Sequence, residues 1–157
     1  MPTNAAWDEC KAKTIIDLHK GREGALLPIL HHLQAAFGCV PPAAVRLVAD
    51  ALNLSRAEVH GVVTFYHDFR EQPAGRHVLK LCRAEACQSM GGEALARQTL
   101  DRLGLDWGDT TPDGRLTVEA VYCLGLCACA PSAQLDGEPI GRLTRQSLDD
   151  IATGVGP

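Results

Sequence analysis

The chain has 157 residues, 46% of them hydrophobic and 22% charged, the balance of a soluble globular protein with one domain or two small ones. A net charge of −4 and the lack of any basic stripe exclude a general nucleic-acid binder. No run approaches the roughly 18 apolar residues of a membrane span, and with only 4% aromatic residues the core must be built from Leu, Val, Ile and Ala.

The first residues, Met1 to Asp8, show neither a basic n-region nor an apolar h-region, so the expected location is cytoplasmic, without direct membrane contact. Seven cysteines are an odd number, and in a reducing compartment they point to metal binding or catalysis rather than to a disulfide framework. A first helix is expected around Asp8 to Lys20. Leu26, Ile29, Leu30, Leu33 and Phe37 then form one stripe of an amphipathic helix, with Gly38 as its stop and Pro41-Pro42 barring its continuation. A third helix places Val45, Val48 and Leu52 on one face. Ser55-Arg56-Ala57-Glu58 is a capping-box signature for a fourth, which presents Val59, Val62, Val63 and Tyr66 inward.

The texture changes at Glu71-Gln72-Pro73-Ala74-Gly75, a short linker. His77 to Leu81 is a strand that runs directly into Cys82. Gly91-Gly92 precede a helix with Ala96, Leu100 and Leu103 inward, and a polar turn follows at Thr111-Pro112-Asp113-Gly114. Leu116 to Tyr122 alternates as a strand and ends in Cys123. Ala133-Gln134-Leu135 and Pro139 to Leu143 flank Asp136-Gly137, a tight-turn signal for a hairpin. A last helix from Thr144 buries Leu148 and Ile151. Strand, helix, strand, hairpin, helix is the order of elements of a thioredoxin-like α/β unit. The expected organisation is a helical bundle over residues 1–74 and this α/β domain over 75–157.

A helical crossover makes the first two strands parallel, so their C-terminal ends share one sheet edge. Cys82 and Cys123, with 40 residues between them, therefore meet there. Each starts a clip, Cys82-x4-Cys87 and Cys123-x3-Cys127. Four thiolates can hold a [2Fe–2S] cluster, two per iron, or one structural zinc, and the spacing alone permits both. Between them lie small residues, Ala84, Ala86 and Gly125, which let backbone N–H groups approach the sulfurs. Glu85 adds a negative charge and Arg83 a positive one to oppose it. Cys129 lies two residues past Cys127, and geometry alone leaves it open as an alternative fourth ligand. Cys10 and Cys39 read as small hydrophobes. His31-His32, His60 and His67 read as surface or core-edge residues. Nucleophile elbow, phosphate loop and substrate pocket are all missing.

These residues resemble a known family. The two clips with Ala130-Pro131, the upstream Gly61-Val62-Val63-Thr64-Phe65-Tyr66 and Phe37-Gly38-Cys39-Val40-Pro41 are similar to the thioredoxin-like [2Fe–2S] ferredoxins, over roughly Gly24 to Ile151. That family supplies the small iron–sulfur subunits of NADH dehydrogenases, NAD-linked hydrogenases and NAD-dependent formate dehydrogenases. The resemblance implies one [2Fe–2S] cluster held by Cys82, Cys87, Cys123 and Cys127, with Cys129 as an extra thiol. It implies an electron-transfer subunit with no active site of its own. Its partner is a subunit binding FMN and NAD. Within the family, Cys82 to Gly91 and Val59-His60-Gly61 are most similar to the gamma subunit of NAD-dependent formate dehydrogenases, whose molybdenum cofactor sits on a further, catalytic subunit. The equivalent subunit of NADH-quinone oxidoreductase or of an NAD-linked hydrogenase is the alternative. From another class stands a zinc-stabilised interaction module without redox role. A free-standing ferredoxin fits less well, because a diffusing carrier has little use for the long helical half.

Overall fold

The computed structural model of the protein describes residues 6–154; residues 1–5, part of the stretch read for a leader, lie outside it. The described residues form two compact units, 6–74 and 75–154.

The first unit is helical. Helix α1 (Glu9–His19) is capped by Asp8, whose Oδ1 accepts from the N–H groups of Cys10 at 2.9 Å and Lys11 at 3.1 Å. Helix α2 (Leu26–Phe37) stops at Gly38 in the left-handed region, φ 79°. Pro42 opens α3 (Pro42–Leu52) at its first turn, where the missing N–H costs nothing. The Ser55–Glu58 capping box forms as expected and starts α4 (Arg56–Phe65).

Ile16, Ile29, Leu30, Leu33, Phe37, Val48, Val59 and Val63 make one core. The helical period places Tyr66 on the inner face of α4, but Tyr66 terminates that helix and stays 44% exposed. The chain turns there, and Phe69 takes the buried place. Gln34 fixes the turn: its amide donates to Asp68 O at 2.6 Å and its carbonyl accepts from Arg70 N–H at 2.7 Å. Cys39 is buried as a small hydrophobe would be, whereas Cys10 lies on the exposed face of α1, contrary to expectation.

His19 ends α1 with its ring stacked on His32 of α2, centroids 4.3 Å apart, and its buried Nδ1 has no hydrogen-bond partner. Burial lowers its pKa below the ordinary 6.5, and the His32 and Arg22 charges lower it further. The folded state thus favours neutral His19. Between 6.5 and the lowered folded value the unfolded chain binds more protons, so His19 takes stability away as the pH falls through that window and takes nothing above it. The urea midpoint of the helical unit is expected to fall between about pH 7.5 and about pH 5.5. His19→Phe, which keeps the stack without the charge, should flatten that slope; an unchanged slope would assign it to other groups.

The second unit is built on a four-stranded sheet of order β2-β1-β3-β4. It comprises β1 (His77–Cys82), α5 (Glu85–Ser89), α6 (Gly92–Leu103), β2 (Leu116–Val121), β3 (Ala133–Leu135), β4 (Glu138–Ile140) and α7 (Arg145–Thr153). Strands β1 and β2 are parallel, with Cys82 opposite Val121, so their C-terminal ends lie side by side. Strand β3 pairs antiparallel with β1 on the other side, and β4 with β3. Leu79, Leu81, Leu116, Val118 and Ala133 from the sheet pack with Ala96, Leu100, Leu148 and Ile151 from α6 and α7.

The hairpin turn uses Asp136 and Gly137, both with positive φ (51° and 96°), as a two-residue turn between right-twisted strands requires. Strand β4 ends at Ile140, short of the expected Leu143, because Arg142 adopts φ 54° and its N–H leaves the ladder for Cys129 O at 2.6 Å. Thr144 caps α7 through a capping box with Ser147 in place of the usual Glu or Gln.

Candidate metal centre

The parallel pair brings the starts of the two clips side by side at one sheet end. Cys82 is the last residue of β1, and its N–H donates to Ser132 O at 3.0 Å. The next N–H, of Arg83, crosses to Val121 O at 2.8 Å and closes the end of the ladder. The chain then enters α5, a five-residue helix that carries Cys87 inward, where the spacing of the two cysteines suggests a loop. Five residues with no side-chain cap leave no periodic signal, which is why the helix is invisible in the pattern. Cys82 and Cys87 are buried, Cys123 and Cys127 exposed.

Cys123 has φ 76°, a left-handed conformation that a non-glycine residue adopts only where the surroundings hold it, and Gly125 repeats the conformation at φ 77°. The N–H groups of Ala84, Cys123 and Leu124 and the Cys87 thiol act as donors that lower the pKa of the Cys82 thiol. Burial pushes the Cys82 thiol up, but these four donors outweigh it and hold its pKa below the ordinary thiol value. Cys127 is raised instead, first by its contact with the Cys123 thiol and the charge there, then by burial and by the charges of Cys87 and Cys82. Cys127 thus feels the negative charge of the other three expected ligands, while among the described residues no three His, Cys, Asp or Glu side chains gather as they would around a single ion.

The donor set fits a metal–sulfur group. Cys123 Sγ and Cys127 Sγ stand 3.8 Å apart. Two thiolates on one tetrahedral metal with bonds of about 2.3 Å are separated by about 3.8 Å, so this clip is already spaced to chelate one ion. Cys129 is placed differently: its N–H donates to Leu126 O at 2.8 Å, its carbonyl accepts from Arg142, and its Cβ faces Gly141, where an added methyl would come within 2.7 Å.

Two side chains act differently from expectation. Arg83 reads in the sequence as a positive charge opposing Glu85. Its guanidinium instead meets both carboxylate oxygens of Glu93, at 3.2 and 3.3 Å, and lies 4.9 Å from the Trp107 ring centre, so its charge is already matched. Ser132, which no motif singles out, is buried with its hydroxyl 3.4 Å from Cys87 Sγ. The one hint in the sequence is a polar residue between Pro131 and Ala133, at the entry of a buried strand.

The glycine pair at the start of α6 serves packing. Gly91 is left-handed at φ 84°, and a Cβ on Gly92 would lie 2.6 Å from Cys87 O. Gly92→Ala must push the Cys87 backbone aside, a cost of about 1–3 kcal/mol by overpacking. The expected result is a lower melting temperature and poorer metal retention; an unchanged metal content would show that Cys87 has room to shift.

Two thiol clips at the C-terminal ends of parallel strands form the candidate metal centre of a thioredoxin-like domain. Residues 12–155 match the family described as thioredoxin-like [2Fe-2S] ferredoxin, and the chain belongs to that family. It is 34% identical over 147 residues, 94% of its length, to a subunit of the NADH-quinone oxidoreductase of Mycobacterium bovis. It is 35% identical, over 83% of its length and 76% of the relative's, to the NADP-reducing hydrogenase subunit HndA of Solidesulfovibrio fructosivorans. Among solved structures, 83% of the chain superimposes on an air-oxidised NAD+-reducing [NiFe]-hydrogenase with TM-score 0.70 and 26% identity. The chain spans 58% of the mycobacterial relative and 22% of the hydrogenase chain. No helix among the described residues is long and apolar enough to cross a membrane.

Proposed function

We propose that this chain is an electron-transfer subunit whose [2Fe–2S] cluster is held by Cys82, Cys87, Cys123 and Cys127. The observation that supports the reading is that parallel strands β1 and β2 end side by side, each running into one clip, with the two sulfurs of the outer clip 3.8 Å apart. When bound, such a cluster accepts and releases one electron at a time. The protein's part is to hold and tune it. Buried Cys82 and Cys87 anchor the inner side against the sheet, and the N–H groups of Ala84, Cys123 and Leu124 stabilise negative charge on Cys82 sulfur. Exposed Cys123 and Cys127, with Tyr122 68% exposed beside them, form the side open to a redox partner.

The partner in this proposal is a cytoplasmic subunit binding FMN and NAD, without direct membrane contact by this chain. The names of the relatives, NADH-quinone oxidoreductase and NADP- and NAD+-reducing hydrogenases, support a pyridine-nucleotide-linked complex. The residues Cys82 to Gly91 favour an NAD-dependent formate dehydrogenase, in which a further subunit with a molybdenum cofactor acts on formate. The equivalent subunit of NADH-quinone oxidoreductase or of a hydrogenase is the second reading, supported by those same names.

Anaerobic purification with an absorption spectrum, iron and acid-labile sulfide assays, and EPR after dithionite tests the proposal. Equal iron and sulfide, two of each per chain, with an EPR signal only on reduction, is expected. One zinc and no colour would replace it with a structural zinc module. Co-purification from the native host, assayed with formate and with NADH, separates the parent complexes.

A further inference from the structure

We propose that Ser132 is a positioning residue that donates a hydrogen bond to the Cys87 ligand sulfur and thereby raises the reduction potential of the cluster; this rests on Cys87 being a ligand, as proposed above. Ser132 meets both cysteines of the inner clip through separate groups. Its carbonyl accepts from Cys82 N–H at 3.0 Å, which any residue could supply, and its hydroxyl lies 3.4 Å from Cys87 Sγ, which few could. Both residues are 2% exposed, so water does not compete for the contact.

The other buried polar residues show what is unusual about this one. Thr99 donates to Leu95 O, Thr111 engages Asp113, and Thr117 engages Thr110 and Gly75 N–H. Each is a hydroxyl on an oxygen or amide partner. Among the described residues, the Ser132 hydroxyl alone of these four is set against sulfur.

With Cys87 as a free thiol either atom can donate. A coordinated cysteine has lost its proton and only accepts, so in the loaded protein the hydroxyl must be the donor. Leaving a buried hydroxyl without a partner is costly, which keeps the bond made. An added electron increases the negative charge on the ligand sulfurs, and a donor pointed at one of them stabilises the reduced state more than the oxidised one. Removing the hydroxyl therefore lowers the potential.

The test is an EPR-monitored redox titration of the loaded protein and its Ser132→Ala, Ser132→Thr and Ser132→Val variants, with iron and sulfide measured in each. Thr and Val fill the same volume, so a packing disturbance moves both, whereas a hydroxyl effect moves Val alone. Ala and Val are expected to shift the equilibrium about tenfold toward the oxidised state, about 59 mV lower for one electron, with Thr close to the unsubstituted protein. Equal potentials in all four proteins, or Thr moving as far as Val, would overturn the inference. So would loss of iron in all three variants, which would leave Ser132 a packing residue. If the unsubstituted protein holds no iron–sulfur chromophore, it is the assignment of the site that fails.

Discussion

Cys127→Ser is expected to strip the protein of its iron and visible colour, whereas Cys129→Ser leaves both intact. The two thiols are separated by a single residue, so the difference must come from where each sulfur is held. Cys127 stands 3.8 Å from Cys123, the spacing of two thiolates on one tetrahedral ion. It also feels the charges of Cys82 and Cys87. The Cys129 backbone is tied on both sides, to Leu126 and Arg142, and its Cβ is packed on Gly141. Even loss of an outer-shell partner costs about 10–100-fold in metal affinity, so loss of a ligand should cost at least that. Cys82→Ser, Cys87→Ser and Cys123→Ser should behave as Cys127→Ser does. Iron retained in Cys127→Ser and lost in Cys129→Ser would move the fourth ligand to Cys129 and widen the outer clip by two residues.

What the chain reveals of this site before folding depends on the range of each interaction. The ends of β1 and β2 are legible because a strand pattern that stops at a cysteine twice, with a helix between, has one simple parallel solution. The Ser55 capping box and the Asp136-Gly137 turn are legible because their partners lie within three residues. The left-handed Cys123 is not legible, since no local rule selects that conformation for cysteine; the neighbouring N–H groups converging on Cys82 sulfur account for it only once the sheet is formed. The same holds for Arg83, whose partners Glu93 and Trp107 come from α6 and the loop beyond it. Ser132 meets Cys87 across 45 positions. The departures at Tyr66 and Arg83 share a cause: a helical period or a charge pattern does not extend past the point where tertiary contacts, Phe69 in one case and Glu93 in the other, decide the outcome.

Leu79→Ala is expected to abolish the metal centre, and Leu33→Ala to leave it in place. The two substitutions remove the same three carbons from fully buried positions, one in each unit. Each should cost about 2–5 kcal/mol through lost transfer energy and the cavity left behind. Against the roughly 5–15 kcal/mol that holds an ordinary domain together, that is a large fraction, equivalent to a fall of more than about 8 °C in melting temperature for a unit of this size. Leu79 lies mid-strand in β1, between Val118 of β2 and Leu135 of β3, so its loss loosens the pairing that brings the Cys82 end and the Cys123 turn together. Leu33 sits in the helical core among Ile29, Leu30 and Phe37, which supplies none of the four sulfurs. Far-ultraviolet circular dichroism and the iron absorption, followed in one melt, separate the cases. If the units fold independently, Leu33→Ala moves the circular-dichroism transition of α1 to α4 and leaves the iron signal in place, whereas Leu79→Ala moves the iron signal together with the smaller circular-dichroism contribution of α5, α6 and α7. A single transition displaced by both substitutions would show instead that the helical unit and the sheet unit fold as one, and that the stability of the cysteine site draws on the helices as well as on the strands that present it.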